Sequence, residues 1–209
     1  MDKIIRKRRS GPRTFDRDKA IDTAMRLFWR HGYEGVSLND LTSAIGVAPP
    51  SLYAAFGSKA GLYREALDRY LGMQGALTRL DGAPNLPQAV ATILHNAVDA
   101  VTSKEGERGC MVSSGMVNSA SEHSELALEL TARRDDMRHS ISDALLCWID
   151  RARADTLARY LVTVLQGLSV QARDGATQDE LKQVVDQVLE GIRATLPLRP
   201  TGQNAVVSD

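Results

Sequence analysis

Cysteine is nearly absent: Cys110 and Cys147 are the two thiols in 209 residues. They form no CxxC pair, so neither a disulfide framework nor a structural zinc site is expected, and the residue pattern asks for no metal or cofactor. Aromatic residues make up 5% of the chain, while Ala, Leu, Val, Arg and Asp are frequent, a balance that suits helices better than sheet. No apolar run approaches the roughly 18 residues needed to span a bilayer. The N-terminal "MDKIIRKRRSGPR" is basic, but the apolar stretch of a signal peptide does not come after it. A cytoplasmic protein with no membrane association is therefore expected. Net charge is missing as well, since 26 Lys and Arg balance 26 Asp and Glu.

That balance conceals an asymmetry. Residues 1–59 carry 11 Lys and Arg against 6 Asp and Glu, a balance of +5, and residues 60–209 carry 15 against 20, a balance of −5. A basic front end on an acidic remainder points to a polyanionic partner for the front end alone. Residues 1–14 hold six of the cations, a Gly-Pro pair and little to bury, which reads as a flexible arm.

Beyond the arm the chain is punctuated as a series of helices. Ile21, Ala24, Met25 and Phe28 repeat at helical spacing over about 16–31, and Gly32 is placed to stop that helix. Ser37 can cap a second helix, with Asp40 at the capping-box offset. Its apolar face is Leu38, Leu41 and Ile45, and Gly46 ends it. Pro49 and Pro50 open a third, because the first helical turn has no use for their missing N–H. Leu52 and Phe56 can both face inward there, with Tyr53 turned about 100° away. Gly57 ends this short helix, and Ser58 caps another running to about Leu80. Short helices separated only by "GVA" make a helix-turn-helix pattern.

Further amphipathic segments cover 85–103, 122–151, 154–173 and 177–195, with a short apolar element "GCMVSSGMVNSA" before the second of them and a loose tail at 197–209. No strand or internal repeat is evident, so the fold class is all-α. The last two helices carry wide apolar faces, Tyr160, Val164, Leu165 and Leu168 on one and Leu181, Val184, Val188 and Ile192 on the other. At the end of a chain such a pair is expected to bury them against a second copy, as a homodimer.

Over residues 15–63 the sequence closely resembles the DNA-binding domain of TetR-type transcriptional repressors. The residues that carry the resemblance are Phe28, Gly32, Gly35, Ser37, Ile45–Gly46–Val47, Leu52–Tyr53, Phe56 and Ser58–Lys59. It implies an N-terminal domain (15–75) that reads a palindromic operator in double-stranded DNA, and a C-terminal domain (76–196) that binds a small-molecule effector and dimerises. It also implies phosphate contacts for Tyr53, Lys59 and Ser37. Pro49 and Pro50 stand where many members of the family carry Lys and Gly, and Ala54 and Ala55 stand where larger polar residues are common. Ser51 is then the main polar candidate for base reading, and Ala54 offers only apolar contact. Ala48 and Pro49 stand at the same helix start. Thr42 and Ser43, or Arg6, Arg8 and Arg9 of the arm, are expected to supply the remaining specificity and backbone attraction.

The resemblance places the effector among the C-terminal helices without naming its contacts. Met73, His95, Cys110 and Met111 are candidates there, as are Met116, Met137, Cys147 and Trp148, although methionine and free cysteine are also ordinary packing residues. Two rival readings involve Cys110. At an expected helix start after Gly109 and beside Arg108, its thiolate would be stabilised for redox sensing. A cysteine hydrolase would need His95, His123 or His139 as base in a motif that the sequence does not supply.

Overall fold

The computed structural model describes residues 15–73, 80, 82–117 and 119–195. The arm at 1–14 and the tail at 197–209 lie outside the described residues. All regular structure among the described residues is helical: α1 (Arg17–His31), α2 (Leu38–Ile45), α3 (Pro49–Phe56), α4 (Lys59–Met73), α5 (Leu86–Thr102), a 3-10 turn (Ser121–His123), α6 (Ser124–Leu145), α7 (Arg151–Arg173) and α8 (Gln178–Thr195). The chain divides into two compact units, Met1–Gly72 and Met73–Asp209.

The first unit is small, and its core is aromatic. Eight of the ten aromatic residues fall between Phe15 and Tyr70, which concentrates large buried area where few residues are available to supply it. Phe28 meets Tyr63 edge-on with centroids 5.0 Å apart, and Tyr33 stacks on Phe28 at 6.0 Å. Trp29 meets Tyr70 at 4.8 Å. Polar ties join α1 to α4 outside this core. Arg69 places one guanidinium nitrogen 2.7 Å from Asp22 and another 2.6 Å from Asp18, and Arg17 lies 2.7 Å from Glu65. Such exposed pairs are individually weak, but the forked Arg69 contact fixes orientation.

The second unit is aliphatic. α5 lies in its centre, with Val90, Ile93, Leu94 and Val98 all at 0% exposure, and α7 and α8 pack against it. Gln178 of α8 donates to Asp99 of α5 at 2.7 Å. α8 begins with its own capping box, Thr177 and Glu180, whose carboxylate accepts from the Thr177 N–H and hydroxyl at 2.7 Å each. Those hydrogen bonds hold the Glu180 carboxyl below its usual range.

Several expectations are corrected. The single helix over 122–151 is a 3-10 turn, α6 ending at Leu145, and a turn through 149. Asp150 interrupts it by capping α7, accepting from the Arg153 N–H at 3.0 Å. The helix expected to reach Leu80 is described only to Met73, and Leu80 itself is not helical. No helix starts at Gly109; the described residues of 103–120 run through turns and bends. Finally, Leu165, Leu168, Leu181, Val188 and Ile192 do not form an outward pairing face. They are 2–8% exposed and sit in the core of this one chain. Their stripe is satisfied by α5 and by the α7–α8 contact, and Val164 is half-buried against the same core, so of the eight only Tyr160 (47% exposed) and Val184 (45%) remain outward.

Candidate nucleic-acid interface

The α2–turn–α3 motif is built by local rules. Ser37 accepts from the Asp40 N–H at 3.1 Å, and its own N–H donates to the Asp40 carboxylate at 2.8 Å. The Ser37 hydroxyl also donates to that carboxylate at 2.6 Å. These bonds hold the Asp40 carboxyl below its ordinary value, the hydroxyl being the larger cause. Gly46 closes α2 in the left-handed region at φ 79°. α3 has no side-chain cap at Ala48 and starts on its prolines instead. Leu52 (0% exposed) and Phe56 (7%) pin it down, while Pro49, Ser51, Tyr53 and Ala54 stay exposed.

The far end of α3 is equally constrained. A Cβ on Gly61 would collide with the Phe56 carbonyl oxygen, so glycine there is what lets α4 start directly beneath α3. Ser58 caps α4, accepting from the Gly61 N–H at 3.0 Å. Phe15 meets Phe56 edge-on at 6.0 Å, and the Arg17 guanidinium lies 5.0 Å from the centre of the same ring. The residue from which the basic arm departs is thus docked against the end of α3.

Lys59, the first residue of α4, places Nζ 4.1 Å from the centre of the Tyr33 ring. Burial pushes its pKa down, and Glu34 and Asp40 pull it back up. Its ammonium is therefore held on a ring face at a helix N-terminus, a place suited to an anion. Tyr33 and Arg17 were not among the sequence candidates. Each acts through a partner far along the chain, and no local spacing marks it.

The other candidates divide. Ala48 and Ser43 are exposed. Thr42 is not available: it is 6% exposed and its hydroxyl donates to the Asn39 carbonyl at 3.1 Å, because position 42 faces inward beside Leu41. Arg6, Arg8 and Arg9 lie outside the described residues.

The eight effector candidates do not line one cavity. Met73 and Cys147 are exposed, Met111 is buried, and His95, Met137 and Trp148 are half-buried at separate places. Only Met116 borders the larger of two open clefts, and none of the eight borders the smaller. Cys110 lies in the irregular segment, its N–H donating to Ser169 Oγ at 2.9 Å and its Sγ accepting from the Ser113 N–H at 3.4 Å. The helix dipole expected to activate its thiolate is not there. No helix among the described residues is long and apolar enough to cross a membrane.

Residues 20–66 match the sequence profile of the family "Bacterial regulatory proteins, tetR family". The transcriptional repressor ComR of Escherichia coli K12 is 34% identical over 196 residues, which cover 88% of this chain and 92% of ComR. The repressor BdcR of the same organism is 31% identical over 191 residues, covering 88% and 93%. Among solved structures, a cysteine-substituted TetR family regulator CifR bound to 26-bp double-strand operator DNA superposes with a TM-score of 0.78 at 41% identity, over 87% of this chain and 98% of that one. ComR and BdcR are transcriptional repressors and CifR a transcriptional regulator, and the CifR structure shares the fold of this chain. By its motif, its fold and these relationships along most of its length, the chain belongs to the TetR family of DNA-binding transcriptional regulators.

Proposed function

We propose that this protein acts as a homodimeric repressor that occupies a palindromic operator and is released from it by a small-molecule effector bound in the second unit. The observation that carries this reading is the mounting of α3, held by Leu52 and Phe56 with Ser51, Tyr53 and Ala54 turned outward. A helix too short to persist alone becomes a rigid reader when its neighbours clamp it. Tyr53 and Lys59 supply phosphate contacts, Ser51 and Ala54 meet base edges, and Arg6, Arg8 and Arg9 add attraction to the backbone or minor groove; the Ser37 hydroxyl, whose proton goes to Asp40, serves as the cap of α2. Two copies pair through the outward faces of α7 and α8, where Tyr160 and Val184 are exposed and Gly191 leaves room for close approach. The operator complex of CifR and the repressor names of ComR and BdcR support the same reading.

Selection of bound duplexes from a random library, followed by fluorescence anisotropy at several salt concentrations, tests it. A palindromic motif bound by two or a multiple of two chains is expected. Each phosphate neutralised contributes a log–log salt slope of about −0.9, so deleting residues 1–9 weakens binding and makes the slope shallower. An asymmetric motif bound by single chains defeats the proposal. A releasing ligand is expected to shift operator affinity by about 1–3 kcal/mol, and the operator must shift ligand affinity equally.

A further inference from the structure

Between residues 113–117 and 119–121, the first three turns of α6 and the C-terminal half of α7 lies an open cleft of about 1360 Å³. Its wall carries three large side chains that are unusually bare, Val117 (63% exposed), Leu128 (69%) and Val170 (45%). Bare apolar side chains gathered in one cleft mark a place where something binds. Beside them stand hydroxyl and amide groups, among them Ser113, Ser124, Thr131 and Gln166. Among the described lining residues Arg134 is the one charged side chain.

Arg134 also fastens the irregular wall to α6. Its guanidinium donates to the Val112 carbonyl at 3.1 Å, the Gly115 carbonyl at 2.8 Å and the Thr131 hydroxyl at 3.0 Å. Next in the chain, Met116 has φ 54°, the one non-glycine in the left-handed region among the described residues. Such a conformation persists only while its surroundings hold it. The same segment is tied to the helical frame through Gly109 N–H on the Val101 carbonyl at 3.0 Å and Cys110 N–H on Ser169 of α7 at 2.9 Å.

We infer that this cleft is the regulatory site and takes an amphipathic organic anion, an apolar body bearing one carboxylate. The carboxylate competes for the Arg134 guanidinium with the Val112 and Gly115 carbonyls, and as an anion of matching planar geometry it can take two parallel N–H bonds where each carbonyl takes one. The apolar body covers Val117, Leu128 and Val170. Drawing Arg134 off Val112 and Gly115 releases the turn at Met116, in the irregular segment whose Cys110 N–H is bonded to Ser169 of α7. The inference rests on the effector reading above and adds the ligand class and the place where it binds.

The probes are decanoate and 4-phenylbutyrate, with decanol and decylammonium as matched neutral and cationic controls, titrated calorimetrically into the full chain. Both carboxylates are expected to bind saturably and to weaken binding of the selected operator, and decylammonium to do neither. Leu128→Glu changes an exposed position and should weaken carboxylate binding about tenfold without altering the thermal melt. Arg134→Gln should abolish the preference for decanoate over decanol. Equal binding of decanoate and decylammonium, or carboxylate binding indifferent to both substitutions, overturns the assignment. So does wild-type protein deaf to both carboxylates with Leu128→Glu turning dimers into monomers, because the bare side chains are then covered by a second copy. A different molecule that releases the operator and ignores Leu128→Glu leaves the proposed function standing and removes only this site. Carboxylate binding with operator affinity unchanged removes the regulatory role.

Discussion

The Lys59 ammonium rests on the Tyr33 ring at 4.1 Å, and if Lys59 contacts phosphate as proposed, the ring holds it there. An exposed cation–π contact of about 0.5–1 kcal/mol corresponds to about a two- to fivefold change in affinity. Tyr33→Leu is expected to lose operator affinity by that factor, and Tyr33→Phe, which keeps the ring, to retain it; anisotropy on the selected operator measures both. Two small hydroxyl residues of the motif have opposite surroundings. Ser51 is exposed, whereas Thr42 is buried and donates to Asn39. Ser51→Ala should therefore erode discrimination between operator and scrambled DNA by about 1 kcal/mol, and Thr42→Ala should leave it unchanged. A loss of discrimination in Thr42→Ala instead would show that α2 turns that side chain outward on DNA.

Among the helices, α2 depends on its cap and α3 on its neighbours. Asp40 has its carboxyl held below the ordinary value of 3.8 by Ser37. A carboxyl depressed on folding contributes stability that is present above the unfolded value and lost as pH falls through the folded one. Acid melts should thus show a loss of stability beginning below about pH 4, and Ser37→Ala should make that loss smaller, since it removes the hydrogen bonds that cause the shift. α3 carries no side-chain cap, and its place is set by buried Leu52 and by Gly61 beneath Phe56. Leu52→Ala is expected to cost about 2–5 kcal/mol, read as a lower midpoint in urea. Gly61→Ala drives a methyl group into the Phe56 carbonyl and should displace α3, weakening cognate and scrambled DNA binding together.

For the whole molecule, the outward surface of α7 and α8 is the quantity at issue. Neighbouring valines on α8 separate assembly from folding, because Val184 is 45% exposed and Val188 is 8% exposed in the core. Val184→Glu should yield folded monomers in sedimentation and weaken operator binding. Val188→Glu should instead lower the melting temperature, because it leaves a buried charge without a partner. If Val184→Glu stays dimeric at micromolar concentration, the pairing surface lies elsewhere. The concentration of aromatic rings in the first unit and aliphatic side chains in the second also gives the two units different resources. The small unit reaches a core through Phe28, Tyr33, Tyr63 and Trp29, and the larger one through many Leu, Val and Ala residues around α5.

By itself the sequence determined the helix class and the starts and stops of the three helices of the DNA-binding motif. Those signals are short in range: a serine three residues before an aspartate, prolines in a first turn, a glycine where φ must be positive. The family resemblance along residues 15–63 rests on the same local grammar. Tertiary structure decided which partner covers each apolar stripe. Leu181, Val188 and Ile192 form the same pattern whether a second copy or the chain's own α5 buries them, and periodicity carries no mark of the difference. It also decided that Thr42 faces inward, that Tyr33 meets Lys59, and that the described residues of 103–117 form a wall fastened by Arg134 instead of a helix begun at Gly109. Each of those outcomes joins residues far apart in the chain, and packing alone brings them together.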